Sequence, residues 1–403
     1  MKRSFSFGRW ALVAAGVALI AATYGLVRLA FGLHLPDMSA DLGVDTATAG
    51  LVSAAGSIVY AIAAVVGFFA AERHPRVLVV TATLTAGGGA VGIAAATDVA
   101  TFGPAAAIAS AGAGLASPAL VRLVASTFTD DKSRTPQAIV NAGTGPGLVV
   151  AGMIAVILSP DWRLCWLIAA VATVIAGGAV LISDRPRAGG PHNSRPRNSA
   201  PADSHESRPL LLPRRGWWAA HRPAIAASVL VGIGASAIWT YGRTVLVDAG
   251  GSQTQSVLAW ILLGCGGAAV IATSRPLAHL QPRTLWWIGA GLVAVSTLAL
   301  GAAPTQTTLA LGACTVFGWA YVTASGALIG WTTQIDAAHA AAGTALLFVT
   351  FMIGQAIGAA ALGALLPLGG AATVFAAAAA MAVVGAASLT ATESRRQVVE
   401  PRP

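Results

Sequence analysis

Residues 10–35 read WALVAAGVALIAATYGLVRLAFGLHL, an apolar run interrupted by one arginine and one histidine. About 20 apolar residues suffice for a helix to cross the hydrocarbon core of a bilayer. The start, with Lys2, Arg3 and Arg9 ahead of an apolar run, looks like a signal peptide. The run is too long for one and others follow it, so it reads as a retained first helix. Moving outward, the pattern repeats to the end of the chain. It predicts spans at 10–35, 47–70, 77–97, 102–127, 137–158, 163–182, 223–247, 255–274, 284–303, 307–331, 339–365 and 371–392. The expected fold class is an all-α integral membrane protein with twelve transmembrane helices. Composition agrees: 56% of residues are hydrophobic and 10% charged, with a mean hydropathy of +0.74. A water-facing surface could not be built from so few charges.

Charge sets the expected orientation. With the N-terminus inside, all but four of the 24 Lys and Arg residues fall in loops and tails on one side, the exceptions being Arg28, Arg122, Arg163 and Arg243. The other side carries Asp37, Asp41, Asp45, Asp98, Asp161 and Asp248. The positive-inside rule then puts both termini in the cytoplasm, in a multi-pass protein of the cytoplasmic membrane. The net charge of +9 reads as topology and contact with anionic lipid, not as nucleic-acid binding.

Several classes are set aside on residue type. Cys165, Cys265 and Cys314 each sit alone in a predicted span, as small buried hydrophobes, with no disulfide or thiol metal site indicated. Lys2 and Lys132 are the only lysines, and neither closes a glycine-rich phosphate loop, so a P-loop ATPase is excluded. His34, His74, His192, His205, His221, His279 and His339 lie in loops or near span ends, whereas an intramembrane enzyme needs such groups clustered at one depth. No cofactor, metal or enzymatic activity is expected. The partners expected are a small-molecule solute and the lipid bilayer, with the protein a monomer.

Residues 183–222 break the apolar pattern. They are rich in Pro, Arg and Ser and predict a disordered basic cytoplasmic linker. Its end, residues 210–218, mixes leucine, arginine and tryptophan like an interfacial segment. The linker separates a six-helix unit at 1–182 from a second at 223–392, with a cytoplasmic tail at 393–403. Trp10, Trp162, Trp166, Trp217, Trp218, Trp286 and Trp287 fall at predicted span ends, where an aromatic belt accounts for them. The spaced glycines Gly88/Gly92, Gly326/Gly330 and Gly354/Gly358 fit close helix packing.

Two six-helix halves joined by a basic cytoplasmic linker resemble the major facilitator superfamily of secondary transporters, and within it the bacterial efflux-type, twelve-span branch. The loop after the second span carries Gly67, Glu72, Arg73 and Arg76, similar to that family's Gly-x-x-small-Asp-basic element, although Ala71 holds the acidic position and Glu72 follows it. The fifth span carries Gly143-Thr-Gly145-Pro146-Gly147 and Gly152, like the family's Gly-Pro element, without its closing glycine pair. Gly354-Gln355-Ala-Ile-Gly358 stands in the corresponding place of the eleventh span. Gly145, Pro146, Gly354 and Gln355 are therefore expected to mark bends used when the halves rock, with Gly358 a further conformational residue of the same break. The resemblance implies two pseudo-symmetric bundles around a central cavity lined by spans one, two, seven and ten, among others.

Polar residues inside the bilayer carry the functional reading. Arg28 lies eight residues before Pro36, about 12 Å below the expected helix end, and a guanidinium this deep needs a wet cavity or a partner. Tyr24 is one turn earlier on the same face. Arg243 follows Tyr241 in the seventh span, either reaching the cavity or snorkelling and pairing near Asp248. Arg122 is expected to snorkel inward. Tyr24, Tyr60, Tyr241 and Tyr321 all fall on spans that line the cavity in the resembled family, joined by Trp239, Trp319 and Gln355. The substrate-binding candidates are Arg28, Tyr24, Tyr60, Arg243, Tyr241, Trp239, Tyr321 and Gln355. No Asp or Glu lies in the middle third of any predicted span, so the candidates for ion coupling are His34, Asp37 and Glu72.

Proton-coupled efflux of a small organic compound is the first reading, on resemblance. Uptake or exchange of an organic anion is the alternative, resting on Arg28 and Arg243. A membrane partner protein without transport is the reading of another class.

Overall fold

The computed structural model describes residues 2–128, 130–184 and 215–388. The expected linker beyond Asp184, up to residue 214, and the tail from residue 389 lie outside them. The described residues are helical throughout, without strands. The helices in order are α1 (Lys2–Ile20), a π-helical segment (Ala21–Arg28), α2 (Phe31–Leu42), α3 (Thr46–Ala70), α4 (Pro75–Ala95), α5 (Val99–Thr127) and α6 (Asp130–Asn141). Then come α7 (Thr144–Leu158), α8 (Trp162–Ser183), α9 (Arg215–Asp248), α10 (Gln253–Leu277), α11 (Pro282–Ala302), α12 (Thr307–Ile335) and α13 (Ala340–Ala387). They form 11 runs long and apolar enough to cross a membrane. The expected spans 339–365 and 371–392 share the last run, Ala337–Ala387. Within it, Gly370 adopts φ 71, ψ 165, a backbone state essentially confined to glycine. α9 begins at Arg215, inside the expected linker.

Local chemistry explains where the helices start. At one end of the bundle Asp45, Asp98 and Asp161 accept the backbone N–H groups of Thr48, Thr101 and Leu164 at 2.7, 2.9 and 3.0 Å. Ser252 does the same for Gln255 at 3.1 Å. Each is an N-cap satisfying an orphan donor, and these backbone bonds hold the Asp45 and Asp98 carboxyls below their ordinary range. At the opposite end Pro75 and Pro282 open α4 and α11, where a missing N–H costs nothing. We call these the Asp37 end and the Glu72 end.

The packing corrects several expectations. Pro36 does not end the first helix: α2 continues through it to Leu42. Arg243 donates to the Leu33 carbonyl beside the proline, and Leu33, Leu35 and Met38 are buried, so neighbours hold the segment helical. Arg28 thus lies about 21 Å from the helix end rather than about 12 Å. Trp162, Trp166 and Trp286 are buried, and only Trp10, Trp218 and Trp287 are exposed as an aromatic belt requires. The Trp286 indole donates to the Gly385 carbonyl at 3.3 Å, which draws it inward. Cys265 is exposed, not buried. Arg122 does not snorkel alone; it pairs with Glu72 at 3.0 Å. Arg163, the arginine on the acid-rich side, donates to the Ala94 and Ala96 carbonyls at 2.8 and 2.6 Å and to Asp41 at 2.9 Å. There it closes the C-terminus of α4.

Small residues set the helix contacts between the part before residue 184 and the part after 215. A Cβ on Gly50 would lie 2.4 Å from the Ala359 carbonyl oxygen, joining α3 to α13, and one on Gly145 would lie 2.8 Å from the Ala268 nitrogen, joining α7 to α10. This is how membrane helices pack where lipid removes the hydrophobic incentive.

Candidate functional site

The π-helical segment carries Tyr24 and Arg28. Its bonds reach one residue further than α-helical ones, as in Leu29 N–H to Tyr24 C=O at 2.8 Å, a local distortion frequent at functional sites. Its neighbour α7 approaches backbone to backbone. A Cβ on Gly25 would lie 2.4 Å from the Gly147 carbonyl carbon, and one on Gly147 would lie 2.4 Å from the Ala21 oxygen. Gly147→Ala is therefore expected to destabilise the protein by about 2 kcal/mol, read as a lower thermal midpoint in detergent. An unchanged midpoint would mean the segment shifts freely.

Tyr60 of α3 gathers the two side chains. Its hydroxyl bonds that of Tyr24 at 2.9 Å, and the Arg28 guanidinium carbon stands 4.2 Å over its ring, within cation–π range. Arg28 Nη2 then crosses to α13, reaching Met352 Sδ at 2.9 Å and Gln355 Oε1 at 3.4 Å. Gln355 Nε2 donates to the Tyr321 hydroxyl at 3.0 Å. The Tyr321 ring packs on Trp239 with centroids 5.1 Å apart and on Phe351 at 5.5 Å. Arg28 thus sits where the helices before residue 184 meet those after 215, and the groups around it are a sulfur, an amide oxygen, a ring and the Tyr321 hydroxyl. No carboxylate is among them.

Beside Arg28 lies a cavity of about 50 Å³, with Ser53, Ser57, Ser110, Trp166, Trp239, Thr240 and Gln355 in its lining. Ser53 and Thr240 share a hydrogen bond of 3.0 Å across it. Of the eight predicted binding residues, Tyr24, Arg28, Tyr60, Trp239, Tyr321 and Gln355 come together here.

Arg243 and Tyr241 do not. Arg243 is 1% exposed and pairs with Asp37 Oδ2 at 2.5 Å, with Ser256 Oγ 3.1 Å from its Nε. Asp37 also accepts from Gln253 at 3.0 Å, and Gln253 reaches Ser159 at 3.0 Å. The Tyr241 hydroxyl donates to the Ala359 carbonyl at 2.6 Å. Together they tie the helices at the Asp37 end. Arg243 pairs with Asp37 rather than with Asp248, as the backbone puts Asp37 on a helix beside it. Trp319 donates to Thr273 at 2.8 Å, away from the cluster.

His34 is buried beside Trp166, ring centroids 5.7 Å apart. At the Glu72 end, Gly67 packs on Pro118 and Gly114, Arg73 is exposed, and Arg76 pairs with Asp184 at 3.4 Å. Burial lifts the Asp184 carboxyl above its ordinary range against the pull of Arg76. Gly145 and Pro146 stand in the first turn of α7, just after the break at residues 142–143. Gly354 and Gly358 are a correction: the helix is unbroken there. A Cβ at either would run into the α9 backbone, 2.2 Å from the Val229 oxygen and 2.6 Å from the Ile233 oxygen, so they serve contact rather than bending. Among the described residues no group of three or more His, Cys, Asp or Glu could hold a metal.

Met352, Ser53, Thr240, Gln253 and Ser256 were not foreseen. Hydroxyls in apolar helices mostly bond their own turn, as Ser110 does to Ala106 at 3.2 Å, so residue type alone does not separate the ones that bridge.

Helices crossing a membrane, with a half-buried arginine and a small cavity where two sets of helices meet, define a membrane protein built around a central site. The family model for the Major Facilitator Superfamily matches residues 17–340, and the chain belongs to that superfamily. The fold is shared with solved transporters. A peptide transporter POT in complex with sulfate is 15% identical, covering 96% of this chain and 94% of that chain, with a TM-score of 0.73. The nucleoside transporter NupG is 16% identical, covering 96% and 99%, also at 0.73. A POT family transporter in complex with 5-aminolevulinic acid is 13% identical, covering 98% and 97%, at 0.73. Among curated proteins no sequence match was found.

Proposed function

We propose that the chain is a secondary transporter moving a small organic solute with an anionic group by alternating access, with Arg28 receiving that group. Arg28 carries the reading: it is deep in its helix, lines the cavity, and is held by Met352, Gln355 and Tyr60 rather than by a carboxylate. A charge so placed is costly unless a counter-charge arrives, and the solute supplies it. Twelve spans are part of the proposal. The run Ala337–Ala387 has 51 residues, about 77 Å of helix against a hydrocarbon core of about 30 Å, and Gly370 supplies the turning point. The halves would be residues 1–182 and 223–392, with the linker 183–222, the tail 393–403 and the Glu72 end on the cytoplasmic side.

In vesicles carrying the purified protein, counterflow of an anionic solute is expected from the wild type. Arg28→Gln should lower it about a hundredfold and spare a neutral solute, since charge-assisted hydrogen bonds of about 1.5–3 kcal/mol each are lost. Arg28→Lys keeps the charge without the planar fork, and a loss of about tenfold is expected. Normal anion transport by Arg28→Gln would overturn the proposal.

Proton-coupled efflux is kept as a second reading because Asp37, a titratable carboxylate, joins α2 to α9 at the Asp37 end through Arg243. An imposed pH gradient that drives solute out of cells would support it. His34 and Glu72 have poorer standing, His34 being walled in by Trp166 and Glu72 lying open to solvent with Arg122.

A further inference from the structure

Three buried N–H donors around the Arg28 cavity have no hydrogen-bond partner: Arg28 Nε, Trp166 Nε1 and Trp239 Nε1. The two indoles line the cavity and belong to residues 1% and 8% exposed. Buried donors are nearly always paired, and each unpaired one carries a desolvation penalty. The lining offers Gln355 Oε1 and the hydroxyls of Ser53, Ser57, Ser110, Ser236 and Thr240 as acceptors, yet none of them bonds any of these three N–H groups. These three donors therefore lack an acceptor within reach. Arg28 is the one lysine or arginine in its lining, so a single negative charge is neutralised and a second would remain buried unpaired. Phe31, Val52 and Ile93 make part of the remaining wall; at about 50 Å³ the closed cavity holds the anionic group alone, and an apolar body is seated against these side chains as the helices part.

We propose that this cavity selects an organic monocarboxylate with an apolar body, its two oxygens taking the Arg28 guanidinium and the Trp166 and Trp239 indole N–H groups. This rests on the reading of Arg28 as the anion-receiving group. A carboxylate accepts about four hydrogen bonds, enough for all three of these donors. Trp166 and Arg28 come from helices before residue 184 and Trp239 from α9, so the bound carboxylate joins both sets of helices at the centre.

The test uses the full-length protein in detergent, with binding read by thermal stabilisation. The probes are a carboxylate series from acetate to naphthoate, with benzamide and phenyl phosphate as counterparts of benzoate. Benzoate is expected to stabilise, benzamide to give no shift, and phenyl phosphate to bind at least about tenfold more weakly. Trp239→Phe and Trp166→Phe keep an aromatic ring and remove the donor. Each should weaken benzoate about tenfold, the loss of a hydrogen bond to a charged group, beyond any fall in the ligand-free midpoint that the smaller side chain causes in the core. A purely structural role for the indoles would lower that midpoint and leave the affinity of the folded protein unchanged. Failure of the whole carboxylate series to stabilise, or unchanged benzoate affinity in both tryptophan variants, overturns the inference. Phenyl phosphate bound tightly and through Arg28, with benzoate ignored, would sink the carboxylate and leave the anion reading standing. Benzoate bound equally by Arg28→Gln would sink the anion reading itself.

Discussion

Gln355→Glu is expected to cut transport of an anionic solute at least about a hundredfold while the protein stays folded. The substitution is nearly isosteric and places a carboxylate where Gln355 Oε1 already stands, 3.4 Å from Arg28 Nη2. At an effective dielectric of 20, charges about 4 Å apart attract by about 4 kcal/mol. Desolvating the new carboxylate takes back part of this, and about 3 kcal/mol of internal competition corresponds to roughly a hundredfold loss of solute affinity. Vesicle transport and the thermal midpoint, measured on the same preparation, check both halves of the expectation. Wild-type transport by this variant would mean that the solute does not compete for the guanidinium.

The second large effect belongs to the Asp37 end. Asp37→Asn leaves Arg243, 1% exposed, without its counter-charge. Removing one partner of a buried pair costs about 3–5 kcal/mol, so the thermal midpoint should fall sharply. Asp37→Asn combined with Arg243→Gln removes both charges, and should recover a substantial part of the loss because the two residues are coupled. Additive losses in the double variant would show that the ion pair is not what ties these helices. By contrast, the Glu72–Arg122 pair has side chains 75% and 38% exposed. Breaking it should change stability by less than about 1 kcal/mol.

Much of this was legible in the amino-acid sequence. Apolar runs revealed the spanning helices because lipid leaves a helix no other way to satisfy its backbone, and a lone arginine among them marked Arg28 as a residue with a task. Tyr24 could be placed beside it by helical spacing. What escaped was tertiary. Arg243 finds Asp37, far away in the chain, because α2 continues past Pro36, and local sequence rules stop helices at a proline. Gly354 and Gly358 looked like bends, yet glycines that let α9 approach have the same signature as glycines that let a helix kink. Trp166 and Trp286 looked like interfacial residues and are core, since a span-end position does not say whether a ring faces lipid or protein. The shared run of the last two expected spans turns on Gly370, whose backbone angles no pattern reveals.

Under alternating access the Arg28 cavity is a compartment that opens to one face of the membrane at a time. Ser57 lines it and is 7% exposed. The direct test is a single cysteine at Ser57, with Cys165, Cys265 and Cys314 replaced, labelled in oriented vesicles by a membrane-impermeant maleimide applied to either face. Labelling from both faces is expected, and loosening the Asp37–Arg243 tie should speed it from the Asp37 face and slow it from the Glu72 face. Rates that move in the same direction on both faces, or no labelling from either, would contradict alternating access to this site.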